Sequence, residues 1–104
     1  MDKAKAISLV EKYSEIVKDY FSVKKILLFG SHCKDKANDF SDIDVAVVVD
    51  KIEGDFLTSA SMLYKLRENI DFKIEPILLA LEEEDKSGFL EHVLETGIVV
   101  YQTD

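Results

Sequence analysis

The fold is decided by Lys24-Lys25-Ile26-Leu27-Leu28-Phe29-Gly30-Ser31 and, ten residues later, by Asp42-Ile43-Asp44-Val45-Ala46-Val47-Val48-Val49. The first piece is a short apolar run that ends in glycine, as a buried strand does, and it predicts a strand over 24–30. The second piece is rich in β-branched residues and predicts a strand over 43–49. The residues between them are polar and contain turn formers, which predicts a loop or one short helical turn over 31–41.

Helical and strand periodicities continue on both sides of these two strands. Apolar residues recur at three- and four-residue steps over 3–21 and over 56–69, which predicts two amphipathic helices. Residues 70–80 begin with strict alternation and continue apolar, which predicts a third strand.

The C-terminal part of the sequence predicts one more helix and one more strand. Ser87 is a suitable N-cap for a helix that Gly97 ends, and the apolar residues 98–101 predict the closing strand. The complete order is α-β-β-α-β-α-β. It predicts an α/β or α+β domain in which helices pack on a small mixed sheet.

Length and charge limit the classes of protein that fit. A chain of 104 residues, 47% of them apolar, predicts a single folded domain over 1–104. No apolar run approaches the ~20 residues that span a membrane, and the N-terminus has no signal-peptide pattern, so we expect a cytoplasmic protein. The net charge is −8, with 21 acidic and 13 basic residues, which argues against nucleic acid as a partner. A mononucleotide that arrives with its own metal ions stays compatible with this charge.

The candidate chemistry begins with two aspartates at the start of the second strand. Asp42 and Asp44 are two residues apart, so their side chains point to the same face, with Cα atoms ~6.6 Å apart. Carboxylate oxygens are ligands that Mg²⁺ prefers, and two such ions need a third acid nearby. Glu75 and Asp71, which share a face of the predicted third strand, are the two candidates for that acid.

The end of the first strand supplies a candidate phosphate site. Gly30 permits a tight turn and a close approach of the backbone to a ligand. Ser31 can offer both its hydroxyl and its backbone N–H to a phosphate group, particularly where a helical turn begins.

Together these residues resemble a known family. The run Leu28-Phe29-Gly30-Ser31, the ten-residue gap and Asp42-Ile43-Asp44-Val45 are similar to the G-S-x(10)-D-x-D motif of the DNA polymerase β-like nucleotidyltransferases. The resemblance is closest to the minimal subfamily of that superfamily, and it covers nearly the whole chain. It implies that Gly30 and Ser31 contact the nucleotide phosphates. It also implies that Asp42 and Asp44 bind metal, with Glu75 as the preferred third acid.

The chain departs from the family motif just after the serine. Members of the family usually read G-S-x-A-R-G, whereas this sequence has His32-Cys33-Lys34-Asp35 in the last four positions. Lys34 keeps a positive charge for the nucleotide but lacks the bidentate fork of arginine.

The resemblance also implies an activity. It implies transfer of AMP from ATP, or of another nucleoside monophosphate, with two Mg²⁺ ions and with Mn²⁺ as a substitute. It further implies a HEPN-domain partner protein in a toxin–antitoxin system, while self-association is left open. The alternative is a non-catalytic antitoxin or binding module that keeps the nucleotidyltransferase fold.

Overall fold

A computed structural model describes residues 2–32, 41–83 and 87–103, and its elements follow the predicted order. The elements are α1 (Lys3–Val17), β1 (Val23–Phe29), β2 (Ile43–Val49), α2 (Phe56–Leu66), β3 (Ile74–Ala80), α3 (Phe89–Thr96) and β4 (Ile98–Gln102). Short 3-10 turns follow β1 at Gly30–His32 and α2 at Arg67–Asn69. The predicted mixed α/β class is confirmed.

The described strands form one mixed sheet in the order β3-β2-β1-β4. β1 pairs antiparallel with both β2 and β4, whereas β2 and β3 run parallel and are connected through α2. The prediction that the strands over 24–30, 43–49 and 70–80 share a sheet is therefore confirmed. This order places the end of β1 and the starts of β2 and β3 at one end of the sheet, where the candidate residues lie.

The two faces of the sheet are covered differently because neighbouring residues of a strand point to opposite sides. Val45 and Val47 belong to the larger core, to which α1 and α2 contribute. Ala46 and Val48 belong to a smaller core that includes Val93 of α3. Asp44 has the same parity as Ala46, so it lies on the α3 side of the sheet.

Three predicted boundaries are wrong by three or four residues, and one of them is the end of the second helix, which is Leu66 instead of residue 69. The first helix ends at Val17 instead of residue 21, because the chain tightens there into i→i+3 bonds such as Tyr20 N–H to the Val17 carbonyl. The third strand starts at Ile74 instead of residue 70. Asp71 Oδ1 accepts the Lys73 N–H at 2.7 Å, and this local bond favours a turn over the extended backbone.

Smaller differences affect the C-terminal part. Gly88, with φ 77°, occupies the N-cap position of α3 that was predicted for Ser87, whose hydroxyl accepts the Phe89 N–H at 3.2 Å. The helix ends at Gly97 as predicted. Within the described ranges, none of the helices has the length and apolar character to cross a membrane.

Candidate active site

The turn after β1 brings Gly30 against Asp44. Phe29 is paired with Asp44 in the sheet, and Gly30 follows with a positive φ of 74°, which L side chains rarely adopt. A Cβ at position 30 would overlap Asp44 Oδ2. Glycine is therefore favoured here for two separate reasons, its backbone conformation and the space taken by the carboxylate.

The next residues of this turn differ in exposure. Ser31 is exposed, so its hydroxyl can meet a ligand, whereas His32 is buried. The His32 Nε2 atom lies 3.3 Å from the Ser41 carbonyl oxygen, and its Nδ1 has no hydrogen-bond partner in the described part of the structure. His32 therefore ties the turn after β1 to the residue that precedes Asp42.

The parallel pairing of β2 and β3 brings the acidic residues together. Asp44 is paired with Glu75 in the register, and the Ile43 N–H donates to the Lys73 carbonyl at 2.8 Å. The pKa of Asp44 is raised, first by burial and then by the negative charges of Asp42 and Glu75, while His32 acts in the opposite direction. The charges of Asp42 and Glu75 therefore both act on Asp44.

Glu75 has partners of its own at the outer side of β3. Its Oε1 lies 3.3 Å from Arg67 Nη1, and its Oε2 accepts a hydrogen bond from the Tyr64 hydroxyl at 3.2 Å. Arg67 also donates to the Ile74 carbonyl at 2.7 Å, and its guanidinium lies 4.8 Å from the centre of the Tyr64 ring. The side chain of Glu75 is therefore held towards α2.

The other predicted site residues lie elsewhere. Asp71, the alternative third acid, precedes β3 and does not share a strand face with Glu75, so the parity argument for it is wrong. Lys34 lies outside the described residues. Among the residues that are described, no three His, Cys, Asp or Glu side chains stand close enough together to hold a metal ion as they are.

Two members of this site were not found from the sequence. Tyr64 and Arg67 are three residues apart in and just after α2, which places them on one face of the helix, and Arg67 is the one arginine of the chain. The three-residue spacing is present in the sequence, but it is equally typical of two solvent-exposed side chains that contact only each other. Their contacts with Glu75 depend on how α2 packs beside β3.

A separate cleft of about 410 Å³ lies at the opposite end of the sheet. Its described lining includes Lys18, Asp19, Tyr20, Lys51 and Glu53, a mixture of both charges, and none of the motif residues. We place the candidate active site at the acidic end, because Gly30 lies against the Asp44 carboxylate there and Asp44 is paired with Glu75.

The fold and the motif define the class of protein. A solved structure described as "a putative nucleotidyltransferase from Sulfolobus solfataricus" superposes with a TM-score of 0.67 and 18% sequence identity, covering 96% of this chain and 83% of that chain. At that identity the likeness concerns the fold. The chain belongs to the family described as "Polymerase beta, Nucleotidyltransferase", whose model matches residues 11–104. The resemblance to the polymerase β-like nucleotidyltransferase superfamily is thereby confirmed.

A curated relative shares a shorter segment. "Putative protein adenylyltransferase MJ1379" of Methanocaldococcus jannaschii is 40% identical over 43 residues, which are 41% of this chain and 43% of that protein. The match thus spans less than half the length of the relative. The acceptor named for that protein therefore enters only as support for a proposal.

Proposed function

We propose that this protein transfers a nucleoside monophosphate, AMP from ATP in the first place, to a hydroxyl group of an acceptor protein in a reaction that requires Mg²⁺ or Mn²⁺. One observation carries the proposal. Gly30 leaves the space that the Asp44 carboxylate occupies, and Glu75 lies opposite Asp44 on the next strand. A phosphate-binding turn and opposed carboxylates at one sheet end are the parts that nucleotidyl transfer needs.

The donor groups suit a hard divalent cation at Asp42 and Asp44. Both supply carboxylate oxygens, and the pKa of Asp44 is raised first by burial and then by the negative charges of Asp42 and Glu75, which a bound cation would offset. Glu75 is paired with Arg67, so it becomes a ligand only when that ion pair opens. When bound, Mg²⁺ supplies positive charge for the triphosphate and lowers the pKa of the acceptor hydroxyl.

The residues of the chain divide the remaining tasks. Ser31 offers its hydroxyl and backbone N–H to the departing phosphates at the end of β1. Asp44 lies between this turn and Glu75, which supports a position of the reacting phosphorus next to β2. The acceptor approaches from the outer side of β3, where Glu75 is 37% exposed.

A protein is favoured as the acceptor by charge and by similarity. A chain with net charge −8 repels the backbone of a nucleic acid. The name of the Methanocaldococcus relative supports both the adenylyl group and the protein acceptor. The resemblance to the minimal subfamily supports a HEPN-domain protein as the first candidate.

The test uses ATP labelled at the α-phosphate, Mg²⁺ and candidate HEPN-domain proteins. The expected result is an added mass of about 329 Da on one partner, the mass of the transferred AMP group. Asp44→Asn should abolish this product, while Asp50→Asn, a matched change at the far end of β2, should leave it. Transfer that persists in Asp44→Asn would refute the proposed site.

A binding module without catalysis is the second candidate, and one observation favours it. Glu75 is held by both Arg67 and Tyr64, and these contacts compete with a metal ion for its carboxylate oxygens. This candidate expects tight binding of a partner that survives Asp42→Asn, with no nucleotide transfer. The same incubation, followed by a binding measurement, separates the two.

A further inference from the structure

A phenol hydroxyl already occupies the acceptor side of the site. Tyr64 extends from α2 to β3, where its hydroxyl donates to Glu75 Oε2 at 3.2 Å. The Arg67 guanidinium lies 4.8 Å from the centre of the ring and is itself anchored on the Ile74 carbonyl. Tyr64 is 41% exposed, and these contacts orient its hydroxyl at the surface beside β3.

The order of groups across the sheet corresponds to that of a displacement reaction. Ser31 follows β1, Asp44 lies on β2 and Glu75 on β3, and neighbouring strands are ~4.8 Å apart. Tyr64 adds its hydroxyl beyond Glu75. The phosphate-binding turn and the phenol therefore lie on opposite sides of the carboxylates. An in-line transfer has the attacking and leaving oxygens on opposite sides of the phosphorus, and this order of groups is compatible with it.

We propose that Tyr64 is an acceptor for its own chain, so that the protein transfers a nucleoside monophosphate to the Tyr64 hydroxyl. The proposal rests on the proposed function and names one acceptor for it. The Tyr64 oxygen forms a bond to the α-phosphorus of the nucleoside triphosphate. The bond from that phosphorus to the bridging oxygen breaks, and pyrophosphate leaves with the electron pair. The phenol proton passes to Glu75 and then to water.

Another tyrosine of the chain provides a matched control. Tyr20 is 61% exposed, more than Tyr64, but it precedes β1, whereas the site follows that strand. Seven strand residues separate the two ends by about 20 Å. If exposure alone determines which tyrosine is modified, Tyr20 should be the better acceptor. If the position beside the site determines it, Tyr64 should be the better acceptor.

The first test is incubation of the full chain with ATP and Mg²⁺, without any partner, followed by peptide mass spectrometry. We expect an adduct of about 329 Da on Tyr64. It should be lost in Tyr64→Phe and kept in Tyr20→Phe, and Glu75→Gln should slow its formation by about 10²–10⁴-fold. The rate constant should not depend on protein concentration, because the acceptor belongs to the same site. An adduct that forms on Tyr64 of an inactive Asp44→Asn chain mixed with active protein would overturn the self-transfer.

A second test needs no turnover. N-acetylimidazole acetylates exposed tyrosine hydroxyls, and an ATP analogue with a non-cleavable α,β-bridge should protect Tyr64 and leave Tyr20 reactive. Equal reactivity of Tyr64 with and without the analogue would overturn the proposal. An adduct on a partner protein but none on Tyr64 would also overturn it, while the proposed function would stand. Absence of AMP transfer to any acceptor would overturn both.

Discussion

Gly30→Ala tests the close approach between the turn after β1 and the Asp44 carboxylate. Two costs are expected. A residue with a Cβ at φ 74° sits in the left-handed region, and the added methyl overlaps Asp44 Oδ2. The carboxylate is at the end of a short side chain that can rotate, so the turn should survive while Asp44 is pushed away.

The two costs can be separated by a second glycine. Gly54 has nearly the same φ, 75°, but nothing lies within 4 Å of its added Cβ. The left-handed conformation costs about 1–2 kcal/mol, of which about 0.4–1 kcal/mol is offset because alanine restricts the unfolded chain. Gly54→Ala should therefore lower the free energy of unfolding by about 1 kcal/mol. Gly30→Ala should lose about 0.5–1.5 kcal/mol more, the cost of forcing a side chain off its rotamer.

The assay is thermal and urea unfolding with and without millimolar Mg²⁺. A loss of about 1 kcal/mol corresponds to roughly 4–8 °C in Tm for a domain of this size. Metal at ten times its Kd adds about 1.4 kcal/mol to the native state. Gly54→Ala should keep this gain, whereas Gly30→Ala should lose most of it, because Asp44 no longer points to the site.

A cycle with Asp44→Ala makes the reasoning refutable. Once the carboxylate is absent, Gly30→Ala should cost about as much as Gly54→Ala, since only the backbone strain is left. If Gly30→Ala keeps its extra cost without the carboxylate, the overlap with Asp44 is not its cause. If Mg²⁺ stabilises Gly30→Ala and Gly54→Ala equally, the close approach of Gly30 to Asp44 does not position that carboxylate for metal binding.

Three further outcomes follow from contacts in and near the site. Without metal, Asp44→Asn should raise Tm at pH 7, because the raised pKa of Asp44 means that its ionised form destabilises the native state. This gain in Tm should disappear as the pH falls below about 4, where the wild-type carboxyl is also protonated. Tyr13→Phe removes the buried hydrogen bond to the Leu63 carbonyl, 2.7 Å long, and should lower the urea-derived free energy of unfolding by about 1–3 kcal/mol with an unchanged m-value. Arg67→Gln should release Glu75 and lower the Mg²⁺ concentration at which Tm rises, whereas Arg67→Lys should stay close to wild type. If Arg67→Gln instead needs more Mg²⁺, the ion pair does not compete with the metal for Glu75.

Local pattern was sufficient wherever one residue type dominates a segment. The strand over 43–49 was predicted at its observed bounds, Ile43–Val49, because five of its seven residues are β-branched, which fits a buried strand. The prediction failed at residues 70–73, where alternating Ile70 and Phe72 looked like strand. Phe72 is 66% exposed, and Asp71 closes a turn there. Alternation over four residues cannot distinguish a strand from a turn with a local side-chain bond.

The sequence by itself determined the order of elements, the turn at Gly30-Ser31 and the spacing of Asp42 and Asp44, because each of these depends on residues close in the chain. Only the tertiary structure decided the position and the contacts of Glu75, the preferred third acid. Glu75 lies beside Asp44 because β2 and β3 are parallel and paired in one register, and that pairing is made across a crossover through α2. The same crossover places Tyr64 and Arg67 against Glu75, where each contacts one of its carboxylate oxygens. Spacing along the chain carries no information on such contacts, since they depend on how one helix packs beside the sheet.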